Sequence, residues 1–199
     1  MAVYEPTLKL LSDLPKNRTI SLAVRHSERY PILKPEDVST APLTPEGFRV
    51  AEEFGQRLAR LYTPGKLETS QTGRCIDTGA AIARGAEWDV EVLAEPRLTY
   101  TYVDDAWKRR HTHIYLDAPL PAEVLDLVRY LCEPAAFNCH LNVFVTHDSV
   151  LGCMAGYLFK DLIDQENWPH YLEGMAFWQE DGKVFSAWRG QVAEITALI

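Results

Sequence analysis

The 199-residue chain has little of what several common protein classes require. It has no excess of basic charge: 28 Asp and Glu stand against 20 Lys and Arg, a formal charge of −8. That balance argues against a nucleic-acid surface or an anionic membrane as partner, because both attract a basic field. No apolar run approaches the roughly 20 residues that cross a bilayer. The opening stretch, MAVYEPTLKLLSDLPKNR, lacks the apolar centre of a secretory leader. Cysteine is sparse, at 75, 132, 139 and 153, with no C-x-x-C pair. A cytoplasmic protein with reduced thiols fits this usage better than a disulfide scaffold. There is no internal repeat and no low-complexity linker. With 47% hydrophobic residues the chain can bury one substantial core, and residues 1–199 read as a single domain.

What is present is an alternation of β-branched runs and helical periods. The N-terminal stretch suggests a short amphipathic helix with Leu8, Leu11 and Leu14 inward. TISLAVR (19–25) predicts a first strand. Thr44 followed by Pro45 predicts a capped helix start, with Ala51, Phe54, Leu58 and Leu61 at helical spacing. KLETS (66–70), DVEVL (89–93) and LNVFV (141–145) predict three more strands. Residues 73–85, 121–132 and 149–159 predict helices, the first ending at a Gly85 C-cap. MAFWQE and KVFSAWR flank Asp181-Gly182, a two-residue hairpin signal, so Trp178 and Trp188 are expected in core or cross-strand packing. The expected fold is an α/β/α sandwich, its sheet mostly parallel with a C-terminal antiparallel hairpin.

Ligands of such sheets bind beyond the carboxyl ends of the strands. There the sequence places Arg25, His26 and Arg29 after strand one, Arg74 after strand two, and His147 and Asp148 after strand four. Permanent cations are almost never fully buried unpaired, so RHSERYP (25–31) needs a negative partner, either a structural carboxylate or a substrate. Arginine forks match phosphate oxygens and stay charged at any working pH. A neutral histidine can attack phosphorus through one ring nitrogen if the other is held as a donor. A carboxylic acid can protonate the departing oxygen. Clamp, nucleophile and acid together need no metal and no cofactor.

These motifs resemble the histidine phosphatase superfamily. RHSERYP is similar to its RHGxRxP signature, particularly that of the acid phosphatase branch. LTPEGFRVAEEFGQRL, TSQTGRCIDTGAAI and THDSVLG are similar to its LTxxG, SxxxRxxxTA and HD segments, in the family's order. The resemblance implies a phosphoglycerate mutase-like fold and a phosphomonoesterase working through a phosphohistidine. It implies His26 as nucleophile, Arg25, Arg29 and Arg74 as phosphate ligands, His147 as a further donor to the phosphoryl group, and Asp148 as proton donor. The expected partner is a phosphorylated small molecule. Two positions depart from the pattern. Ser27 replaces the usual Gly, which would strain a backbone needing positive φ or else bring a hydroxyl to the phosphate. Tyr100 stands where the mutase branch carries its donor Glu, which favours Asp148 as the acid. A catalytically weak phospho-ligand binder of the same fold, or a phosphoglycerate mutase-type phosphotransferase, is the alternative. A large α domain like that of longer acid phosphatases is not expected in 199 residues.

Simpler readings stand beside these. Asp148 would serve as a helix N-cap, Arg74 as a surface helix arginine and Cys75 as packing. An irregular stretch over about 94–120 carries Lys108, Arg109, Arg110 and His111 among aromatics, and reads as a substrate loop or a solvated one. His111-x-His113 has metal-ligand spacing but no third ligand.

Overall fold

Ile20, Leu22 and Val24 alternate with Ser21, Ala23 and Arg25 along the first strand, and that period of two sets the layers of the molecule. The computed structural model describes residues 2–99, 122–133, 139–160 and 166–199. Its strands are β1 (Ile20–Arg25), β2 (Thr63–Thr69), β3 (Val92–Ala94), β4 (His140–Thr146), β5 (Gly174–Glu180), β6 (Lys183–Trp188) and β7 (Gln191–Glu194). They form one sheet in the order β3-β2-β4-β1-β5-β6-β7. β3, β2, β4 and β1 run parallel, and β5 to β7 follow antiparallel, so the sheet is mixed.

The helices are α1 (Glu5–Asp13), α2 (Pro45–Ala59), α3 (Gly73–Ala86), α4 (Ala122–Leu131) and α5 (Asp148–Phe159). Leu8 and Leu11 of α1, Phe54 and Leu58 of α2 and Ile82 of α3 bury one sheet face with Ile20, Leu22, Leu141 and Val143. Val124, Leu127, Val128 and Leu131 of α4, with Val150, Leu151 and Met154 of α5, bury the other with Phe144, Phe177 and Trp188. α2 begins where the sequence says it should: the Thr44 hydroxyl accepts the Gly47 N–H at 2.9 Å, and Pro45 takes the first position. Trp188 is fully buried, and Trp178 stacks on Phe185 across the hairpin.

Three expectations are corrected. Gly85 is not a C-cap: α3 runs on to Ala86, and Glu87, at φ 55°, takes the left-handed position. Gly85 serves close packing instead, since a Cβ there would lie 2.0 Å from the Glu52 carbonyl oxygen. The C-terminal hairpin is a three-stranded meander. Asp181 and Gly182 make the first turn with positive φ, and Arg189 and Gly190 make a second that leads into β7. Pro96–Leu98, read as irregular, is a short 3-10 turn.

Candidate active site

Parallel pairing of β1 with β4 puts Arg25 opposite Thr146. The His26 N–H then donates to the Thr146 carbonyl at 3.0 Å, which carries His26 and His147 out of the sheet side by side. Their ring centroids lie 5.6 Å apart, edge to face. α3 starts just past β2, so Arg74, in its first turn, reaches both rings. Its Nε donates to His26 Nε2 at 3.1 Å, Nη2 lies 3.3 Å from His147 Nδ1, and Nη1 donates to the Val38 carbonyl at 2.7 Å. Arg25 points its guanidinium at Asp148 Oδ2, 2.7 Å away, and donates to the Pro169 carbonyl at 2.7 Å. Arg25, His26, Arg74 and His147 are all buried.

The hydrogen bonds assign the ring protons. His26 Nδ1 faces the Ser27 carbonyl at 2.8 Å, and a carbonyl only accepts, so Nδ1 carries the proton and Nε2 presents a lone pair. Burial pushes His26 down to about 2, with Arg25, Arg74 and His147 pushing the same way and the Ser27 carbonyl opposing. Burial and then Arg74 bring His147 down to about 4. Both rings are therefore neutral near pH 7. Burial would raise the Asp148 carboxyl, but Arg25 and a hydrogen bond from Trp168 outweigh it and hold it below the usual carboxylate range. Asp148 occupies the first position of α5, with Oδ1 accepting the Ser149 N–H at 2.8 Å, while His147 takes the N-cap position.

Ser27 has neither of the consequences expected of it. It is not among the residues with positive φ, so its side chain carries no backbone strain. Its hydroxyl turns away from the two histidines and donates to the Gly47 carbonyl at 2.7 Å, while its N–H donates to Thr78 Oγ1 at 3.0 Å. The segment after β1 is thus bolted to α2 and α3. Gly47 permits the approach, because a Cβ there would lie 2.1 Å from the Glu28 carbonyl oxygen.

Arg29 is half-buried and donates to the Tyr30 carbonyl at 2.9 Å. It is near enough for its charge to be felt by Arg25, Arg74 and His147, but it makes no bond to them. Cys75 is packing: buried, with burial raising its thiol to about 11. Lys108, Arg109, Arg110, His111, His113 and Tyr100 lie outside the described residues. Among the described residues no group of three or more His, Cys, Asp or Glu side chains is placed to hold a metal ion.

Sequence reasoning missed three contributors. The Ser70 hydroxyl lies 3.0 Å from His147 Nε2. Thr78 anchors Ser27 and donates to the Arg74 carbonyl at 2.7 Å. The Tyr171 ring lies 4.1 Å from the Arg25 guanidinium carbon and 5.8 Å from the His26 ring centroid. Ser70 and Thr78 stand at the fixed letters of S-x-x-x-R-x-x-x-T, so the spacing was a usable signal; Tyr171 had none. The arrangement combines a concentrated positive field, two imidazole nitrogens held against Arg74 and one carboxyl group, which suits binding an anion and attacking it.

The family model "Histidine phosphatase superfamily (branch 1)" matches residues 22–117, the part that contains Arg25, His26, Arg29 and Arg74. That model is of branch 1 and does not speak for the acid phosphatase branch. No curated protein matches the chain. Among solved structures, YhfR of Bacillus stearothermophilus is similar at 20% identity and TM-score 0.62, over 88% of this chain and 98% of that one. A mycobacterial glucosyl-3-phosphoglycerate phosphatase in complex with inorganic phosphate is similar at 17% and 0.57, over 92% and 99%. A phosphoglycerate mutase of Bacillus anthracis is similar at 13% and 0.52, over 90% and 92%. At these identities the likeness is one of fold. No helix among the described residues is long and apolar enough to cross a membrane.

Proposed function

Starting from the histidine phosphatase superfamily, the family that its residues 22–117 match, we propose that this chain is a metal-independent phosphomonoesterase acting on a phosphorylated small molecule. The observation that carries the reading is the convergence at one point of the His26 Nε2 lone pair, the guanidinium groups of Arg25 and Arg74, His147 and the Asp148 carboxyl. The phosphate bound by the mycobacterial phosphatase of the same fold supports it.

In this reading Arg25, Arg74 and the half-buried Arg29 neutralise the phosphoryl dianion and the charge spread over its oxygens in the transition state. His26 Nε2 attacks phosphorus while the Ser27 carbonyl holds the Nδ1 proton. The P–O ester bond breaks, and protonated Asp148 gives its proton to the departing alkoxide. Water then attacks the phosphohistidine and gives one proton to Asp148. The N–P bond breaks, releasing inorganic phosphate and neutral His26.

Arg25 favours ionised Asp148, and a phosphoryl dianion drawing on the same guanidinium raises its pKa. Turnover requires the protonated acid and falls as pH rises through that pKa, so the expected optimum is acidic. A panel of phosphomonoesters tests the reading. Wild type releases phosphate and His26→Ala releases none; activity in the alanine variant overturns the mechanism. Binding without release leaves a phospho-ligand binder of the same fold. With p-nitrophenyl phosphate, whose leaving group needs no acid, Asp148→Asn gives a stoichiometric burst and then slow turnover. With alkyl phosphates it loses about a hundredfold or more.

A further inference from the structure

One edge of the Arg74 guanidinium, Nε and Nη2, meets two imidazole nitrogens at 3.1 and 3.3 Å. That edge has the geometry that grips two oxygens of a phosphate. Guanidinium has no acceptor, so His26 Nε2 and His147 Nδ1 both present lone pairs to it. When an anion takes the edge, both lone pairs are released toward the anion. For His26 that is the arrangement attack requires. For His147 it is unfavourable, because a lone pair on Nδ1 would face lone pairs on oxygen. His147 becomes a donor to the anion either by taking up a proton or by moving its proton from Nε2 to Nδ1.

The surroundings favour the move. Arg74 and Cys75 of α3, Arg25 and His26 beyond β1, Arg29 and Asp148 surround the ring, and burial with this cationic excess holds it neutral. Nε2 faces the Ser70 hydroxyl at 3.0 Å, with the Cys75 sulfur farther off at 3.8 Å. A hydroxyl can accept from Nε2–H and can equally donate to a bare Nε2. Ser70 is itself fully buried and tied to the Thr72 and Thr99 hydroxyls at 3.4 and 3.3 Å, so it stays in place through either state.

We propose that Ser70 is a positioning residue that lets His147 exchange tautomers on anion binding, turning it from an acceptor for Arg74 into a donor to the phosphoryl group without a change of charge. The inference rests on the phosphomonoesterase reading, and sulfate tests it as a tetrahedral dianion that the site cannot cleave. Long-range proton–nitrogen spectra at pH 7, with His147 assigned by its loss in His147→Asn, are expected to show Nε2–H without sulfate and Nδ1–H with it. Ser70→Ala weakens sulfate about tenfold and abolishes the exchange, while Ser70→Thr, which keeps the hydroxyl, retains it. Sulfate binding with Nε2–H retained, with a doubly protonated ring, or with undiminished affinity in Ser70→Ala overturns the proposal alone. No binding of sulfate by wild type overturns the phosphomonoesterase reading and the proposal with it.

Discussion

The arginines of the helical surface and those at the rim of the sheet are held in opposite ways. On α2 Arg49 is gripped by Glu46 and Glu53, and on α3 Arg84 pairs with Glu52 at 2.6 Å, all with exposed side chains. At the rim Arg25 and Arg74 are buried. Arg25 pairs with the Asp148 carboxylate, which the proposed reaction requires to be protonated in turn. Among the described residues no carboxylate pairs with Arg74, whose donors go to two imidazole nitrogens and a carbonyl. A surface arginine with a resident acid is balanced and contributes little. A buried one held by lone pairs alone keeps its full charge for an anion that comes and goes.

The largest expected break in this contrast is Arg74→Ala. Losing the clamp on developing charge lowers kcat/KM by about a thousandfold in a steady-state assay. A loss under tenfold would class Arg74 with the surface arginines. A medium effect lies in acid stability. The folded pKa values of His26, about 2, and His147, about 4, are below the unfolded value, so the unfolded chain binds more protons once pH falls below about 6.5. Neutral burial is without cost above that pH, and stability is lost between about 6.5 and 4, by up to about 1.4 kcal/mol per pH unit for each ring. Urea unfolding at pH 7 and 4.5 should show the loss, and His147→Asn should remove about 2 kcal/mol of the pH dependence. An identical slope in the variant would mean that His147 is solvated rather than held neutral. The smallest effect is Arg49→Ala, for which activity and urea midpoint are both expected to stay within experimental error.

The candidate site side chains were legible because each stands directly after an apolar strand, where only charge or imidazole breaks the run: Arg25 and His26, then His147 and Asp148. α2 was legible from Thr44 and Pro45, and the first hairpin from Asp181-Gly182, because caps and tight turns are set by a few local residues. The supporting contacts were harder to read. Tyr171 reaches Arg25 from a loop far along the chain, and Ser27 is explained by a carbonyl on α2, neither with a local signal. β7 escaped notice because QVAE is short and mostly exposed, as an edge strand is, and lacks the alternation that a half-buried strand shows. Gly85 misled because a glycine near a helix end is more often a cap than a contact between two helix backbones.

The strand order has a consequence for how the molecule forms in time. β4 lies between β1 and β2, both of which precede it in the chain, and its Asn142 meets Ser21 across a separation of 121 residues. β1 and β2 have no hydrogen bonds to each other, so the central sheet closes only when the second half of the chain arrives. Loop-closure entropy of that size makes this slow compared with forming α2 or the terminal hairpin. Arg25 gains Asp148, and His26 gains His147, only at that step. A bound oxyanion should therefore lower the unfolding rate, because it bridges groups that only the closed sheet holds together.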